Sequence, residues 1–347
     1  MLKGQKLKKG DKVAVVSLSS GMLGEKWAIH KFEIAKKRMK ELFGLELVAM
    51  PNALKGIKYI YEHPEARAKD LMDAFKDKEI KAIISAIGGN DAIRILPYLD
   101  LDVVKQNPKI FSGFSDTTAV HFMLRKAGIN SFYGPAIMTD FSQYLFMNDI
   151  TIDAINKLWF DGVSEYRLPS SKVYSLEKDK VMWGEDNVSK DRTWRKEEKG
   201  FEVLQGKSAV EGRLLGGCID VMANLMGTSV WPKAEEWKDK ILFVETSDNN
   251  MSPALLASIL RSFVAQGIIK EIKGIIVGKP AFADYYEEYK QIYKDVIGFE
   301  AKRPDLPIIY NVNFGHATPI TIIPYGIKCK IDCKKKSITI TEKCVKN

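Results

Sequence analysis

A chain of 347 residues with 46% hydrophobic content is long enough for two domains, each with its own core, and too apolar for disorder on a large scale. Its net charge of +9 arises from 53 Lys and Arg scattered among 44 Asp and Glu, which describes a solvated surface better than a nucleic-acid-binding stripe. No segment is long enough to span a membrane, no apolar stretch backs the basic residues 1–10 as a signal peptide requires, and the cysteines at 218, 329, 333 and 344 lack Cys-x-x-Cys spacing or a nearby His. The expectation is a cytoplasmic protein with reduced thiols, no zinc site, no membrane partner and no nucleic-acid partner.

In chain order, residues 11–17 read as a buried strand, with the loop Ser19–Gly24 beyond its carboxyl end. An amphipathic helix near 28–43, a strand at 45–50, a helix near 64–77 and a strand at 81–87 follow. Strands separated by helices of this length predict right-handed βαβ units in a mostly parallel, flavodoxin- or Rossmann-like sheet. Ligands of such folds gather at the carboxyl ends of the strands. Gly88-Gly89-Asn90-Asp91 sits there, before a short helical run at 92–96. A Gly pair lets backbone amides approach a phosphate or an oxyanion, and equally suits a tight turn of positive φ. The Gly-x-Gly-x-x-Gly spacing of dinucleotide binders is absent, so nothing points to a nicotinamide cofactor.

Residues 109–114 form a further apolar strand, and the helical pattern of 119–125 runs to Gly128. Ser115 therefore falls on a strand-to-helix turn, which exposes its oxygen and aims the free amides of the next helical turn at it. The alternative is that Ser115 or Asp116 is simply a helix cap. Gly-x-Ser-Asp lacks the second Gly of the Gly-x-Ser-x-Gly elbow, so the motif alone leaves both open.

Beyond Gly134-Pro135 a helix is expected near 148–159, and 164–206 is polar with Trp183, Arg192, Trp194 and Arg195 inside it. So long a stretch without core periodicity suggests a linker or an active-site loop, its Trp residues either stacking on a flat group such as a nucleobase or pinning the segment down. Residues 212–217, Gly-Arg-Leu-Leu-Gly-Gly, read as a glycine-rich turn before a helix at 218–226. Strands at 240–246, 274–280 and 307–312, a helix at 253–266, and an alternating tail at 322–341 complete a β-rich α/β region. The expected division is 1–165, an amino-terminal α/β domain, then 166–207, a linker or loop segment, then 208–347, a smaller carboxyl-terminal domain. His30 and His121 fall in helices and His63 precedes a Pro, where surface or core roles suit them; His316 follows a Gly at a strand end, and Glu245 also ends a strand. A carboxylate and an imidazole on neighbouring loops would fix the tautomer and leave one nitrogen for Ser115.

Taken together, Gly-Phe-Ser-Asp-Thr-Thr, Leu-Leu-Gly-Gly, Val-Glu-Thr-Ser and Asn-Phe-Gly-His-Ala-Thr-Pro resemble the signature blocks of the serine peptidase family of LD-carboxypeptidases and microcin C immunity proteins, in order and spacing over nearly the whole chain. The resemblance implies a triad of Ser115, Glu245 and His316, the Gly89 and Asp116 amides as oxyanion donors, no metal or cofactor, a groove between two domains, and a homodimer. It implies two substrate classes: murein peptides losing a terminal D-Ala, or peptidyl nucleotides cleaved at an aspartyl amide. The length, Gly-Gly-Asn followed by Pro-Tyr-Leu-Asp, and the Trp-bearing segment resemble the immunity branch, which makes Asn90, Trp183, Asp248 and Asn249 the expected substrate contacts. Cys218, where the family commonly has Asn, and Asp248-Asn249-Asn250 depart from the pattern near the groove. The competing class is a non-catalytic module in which the same residues line a pocket for an anionic small molecule.

Overall fold

The apolar runs of the first 134 residues become strands β1 (Lys12–Val16), β2 (Glu46–Ala49), β3 (Ile80–Ser85), β4 (Ile110–Gly113) and β5 (Phe132–Tyr133). The structure is a computed structural model and describes residues 1–181 and 183–347. β1, β3 and β4 are buried over almost their full length, as parallel strands covered on both faces must be. All five pair in parallel in the order β2-β1-β3-β4-β5, the flavodoxin-like doubly wound arrangement. Helix His30–Phe43 buries Phe32, Ala35 and Met39 on one face and ends at Gly44, whose left-handed φ of 68° caps it. Helix Pro64–Lys76 starts on a proline, whose missing N–H costs nothing in a first turn.

Four short strands occupy the 166–207 stretch: β6 (Tyr166–Arg167), β7 (Val173–Tyr174), β8 (Arg195–Lys196) and β9 (Glu202–Gln205). Then come β10 (Ala209–Cys218), β11 (Lys240–Glu245), β12 (Gly274–Gly278), β13 (Ile308–Val312), β14 (Ile323–Pro324), β15 (Lys328–Asp332) and β16 (Ser337–Ile340). The second sheet runs β6-β16-β15-β10-β11-β12-β13-β9, parallel through β10 to β13 and antiparallel at both flanks. β7 and β8 pair only with each other, and β14 leaves its neighbours in sequence to pair antiparallel with β5 in the first sheet. One hydrophobic cluster is continuous through both sheets.

One local expectation is corrected and two helical ones are refined. Residues 212–217 are not a turn but the interior of β10. Their glycines serve close packing: a Cβ on Gly216 would lie 1.7 Å from the Phe243 carbonyl oxygen of β11, so the strands sit where no side chain fits. The run at 92–96 is a 3₁₀ turn, Ala92–Tyr98, with Pro97 removing a helical donor. The helix at 148–159 is α-helical only over Asp149–Ile155.

Candidate active site

β4 delivers the chain to the carboxyl edge of the first sheet, where Phe114 is extended and Ser115 turns sharply into the helix Thr118–Lys126. Ser115 adopts a φ of 59°, the left-handed region that an L-residue enters at a cost of about 1–3 kcal/mol. That strain lifts the hydroxyl clear of the sheet, as at a nucleophile elbow. From the other sheet, β11 ends on Glu245, and the loop after β13 brings in His316 behind Gly315. Gly315 has φ 93°, and a Cβ there would lie 2.6 Å from Glu245 Oε2, so glycine is what allows the imidazole to reach the carboxylate.

His316 Nδ1 lies 2.8 Å from Glu245 Oε2, and His316 Nε2 lies 3.0 Å from Ser115 Oγ. A fourth residue, Tyr133 at the end of β5, closes the circuit. The Ser115 amide donates to Tyr133 Oη at 3.1 Å, and that hydroxyl donates to Glu245 Oε1 at 2.5 Å. Burial, then the Glu245 charge, hold the Tyr133 phenol well above its ordinary pKa, so it remains a donor. Burial pulls the His316 pKa down, but the charge and hydrogen bond of Glu245, with Asp248 and Glu177 beyond, outweigh it and raise the value to about 9.

Two further loops close on Ser115. A Cβ on Gly88 would lie 2.9 Å from Ser115 Cβ and 3.4 Å from the Asp116 nitrogen, and Gly89, with φ 150°, packs against Ser19. The Asp116 carboxylate ties these loops together, accepting from Ser19 Oγ at 2.5 Å and from the Ala92 amide at 2.8 Å. Asn90 is exposed on the same turn. Asp248 is half exposed, with Oδ1 3.9 Å from His316 Nε2, and Asn249 follows on that loop, its amide donating to Ser247 Oγ. Cys218 is buried opposite Glu245 in the register, and its amide donates to Thr118 Oγ1 at 3.0 Å. It joins β10 to the helix that follows Ser115.

Trp183 is not brought against Ser115. Its ring lies 5.7 Å from Lys31 Nζ and 5.2 Å from Lys180 Nζ, in a small cavity also lined by Tyr144 and Arg192. Among the described residues none of the other three histidines hydrogen-bonds to Ser115 or Glu245, although the His121 ring lies 5.9 Å from that of Tyr133. His121 is buried between Ser131 and the Gly113 carbonyl, His30 meets Tyr144, and His63 meets Glu65. Tyr133 is the residue that sequence reasoning missed; a polar-headed aromatic ending a short apolar run just before Gly134-Pro135 is its signal.

Fold and site together are of the serine peptidase type. The chain belongs to the LD-carboxypeptidase family: residues 13–134 match its N-terminal domain and 211–331 its C-terminal domain. The microcin C7 self-immunity protein MccF of Escherichia coli is 29% identical over 280 residues, 80% of this chain and 78% of that protein. A Bacillus subtilis protein named "Probable murein peptide carboxypeptidase" is 26% identical over 97% of this chain and 94% of its own. Among solved structures, an MccF-like protein from Streptococcus pneumoniae in complex with AMP superposes with a TM-score of 0.87 at 34% identity, covering 95% of this chain and 98% of that one.

Proposed function

We propose that the protein is a cytoplasmic serine amidohydrolase that cleaves an acyl or peptidyl nucleotide of the microcin C type. The observation that carries the chemistry is the 3.0 Å approach of His316 Nε2 to Ser115 Oγ, with Nδ1 engaged by Glu245 at 2.8 Å. His316 takes the hydroxyl proton as Ser115 attacks the amide carbonyl, and Glu245 orients the ring and stabilises the imidazolium. The Gly89 and Asp116 amides receive the oxyanion, His316 returns the proton to the leaving amine, and water then hydrolyses the acyl-enzyme. The substrate class is supported by the AMP held by the pneumococcal relative and by the aromatic and cationic setting of Trp183 among Lys31, Lys180 and Arg192. Asn90, Asp248 and Asn249 contact the acyl part, residues 1–165 and 208–347 form two lobes, with 166–207 a loop segment whose ends, β6 and β9, edge the second sheet, and the working unit is a homodimer.

The second reading, release of a terminal D-Ala from a murein peptide, is favoured by the family's own name and by the B. subtilis relative. A paired assay of the wild type and Ser115→Ala decides, offering aspartyl sulfamoyl-adenosine beside a murein tetrapeptide. Cleavage of the nucleotide conjugate alone supports the proposal, and release of D-Ala alone replaces it with the second reading. Turnover retained by Ser115→Ala removes both.

A further inference from the structure

The helix Thr118–Lys126 has the nucleophile turn at one end and, at the other, a cavity of about 440 Å³ that shares no lining residue with the Ser115, His316 and Glu245 array. Five basic side chains, Arg125, Lys126, Arg213, Lys233 and Lys240, line it against one carboxylate, Glu236. Two cations at a helix C-terminus are the ordinary complement of its dipole, which accounts for Arg125 and Lys126. It does not account for Arg213 and Lys240. They stand on β10 and β11 as direct register partners, like charges side by side on neighbouring strands, an arrangement that is destabilising without a counterion.

The protein's own acids neutralise this group only in part. Arg125 pairs with Glu236 at 2.6 Å and Arg213 with Glu342 at 2.8 Å, whereas among the described residues Lys240 forms no ion pair and reaches only the Lys238 carbonyl, at 3.1 Å. Burial and then Arg125 draw the Lys240 amine below the usual lysine range, with Arg213 adding to the effect. The cations also converge from both halves of the chain: Arg125 and Lys126 from the helix after β4, the others from the second sheet and its loops. A cavity of this size accommodates a nucleotide-sized ligand, and the planar fork of arginine matches phosphate oxygens.

We propose that this cavity is a second, non-catalytic binding site for a phosphorylated small anion, gripped between Arg125 and the Arg213–Lys240 pair. Isothermal titration of the full chain at low ionic strength, with inorganic phosphate, inorganic pyrophosphate and ATP as probes, tests it. The expected result, apart from any ATP taken up at the proposed nucleotide site beside Trp183, is one such site per chain that binds all the probes it accepts, weakened at least tenfold by Lys240→Gln and by Arg213→Gln and unchanged by Lys180→Gln. Circular dichroism and retained turnover confirm that the variants are folded, and the exposed Lys126→Gln carries the same test if Lys240→Gln does not fold. Binding of all three probes marks the ligand as phosphate itself, and binding of pyrophosphate and ATP alone marks it as a phosphorylated metabolite; both outcomes support the site. Absence of binding at millimolar concentration, wild-type affinity in the Lys240 and Arg213 variants, or loss of affinity in Lys180→Gln alone overturns it.

Discussion

The proton on His316 makes the sharpest test of the proposed chemistry. With a pKa raised to about 9, the imidazole is charged at neutral pH and must lose its proton before it can accept one from Ser115. Only roughly 1% of the free enzyme is then competent at pH 7, and kcat/KM rises about tenfold per pH unit until it levels near pH 9. Asp248 is the adjustable part of this field. Its carboxylate lies 3.9 Å from Nε2 and is half exposed. Two charges at that distance interact by about 1 kcal/mol in water and about 4 kcal/mol in a poorly screened setting, and exposure argues for the lower figure. Asp248→Asn therefore lowers the acidic limb by about 0.7 pH unit and raises kcat/KM at pH 7 about fivefold, with the alkaline plateau in place. Steady-state rates from pH 5 to 10 read the limb separately from any loss of substrate contact, which changes the plateau. A limb that stays put or moves up refutes the reasoning. The same shift is a stability statement. Because the folded pKa lies above the unfolded value of 6.5, His316 contributes on the order of 3 kcal/mol below pH 6.5, and this is lost as pH rises through 9.

Glu245→Gln removes the charge that orients and holds the imidazolium, so kcat falls about a thousandfold while the acidic limb moves to lower pH; an unchanged rate would reassign Glu245 to structure. Tyr133→Phe leaves one Glu245 oxygen and the Ser115 amide without their partner, which costs about 2 kcal/mol in denaturant unfolding and about tenfold or more in kcat. Wild-type values for both would show that the tyrosine bridge is incidental. Gly216→Ala places a methyl against the Phe243 carbonyl and destabilises by more than about 3 kcal/mol, seen as loss of soluble folded protein or a drop in melting temperature.

The local chemistry of the sequence marked several parts of this site one at a time. A serine after a Gly at a strand end, an acid closing an apolar strand and a histidine behind Gly315 each carry a signal within a few residues. Their meeting spans 201 residues between Ser115 and His316 and depends on the ends of β4, β11 and β13, from two different sheets, being brought together, which no local pattern encodes. Tyr133 stayed hidden for a related reason. An apolar strand ending in tyrosine is ordinary, and its role arises only from the distant Glu245. The glycines of 212–217 read as a turn in the sequence because a turn and a tight strand-to-strand approach both call for glycine, and only the partner strand β11 distinguishes them. Trp183 was legible as an unusual aromatic in a polar stretch, but its neighbours Lys31 and Tyr144 come from the first half of the chain.

The return of β14 to the first sheet has a mechanical consequence. Ile323 pairs directly with Tyr133, so a segment seven residues beyond His316 is bonded to the strand whose tyrosine holds both Ser115 and Glu245. The two halves cannot swing apart about a hinge without breaking that pairing and the Tyr133 bridge together. Any such separation would also part Ser115 from His316 and Glu245, so the geometry of these three side chains is tied to the pairing of β14 with β5.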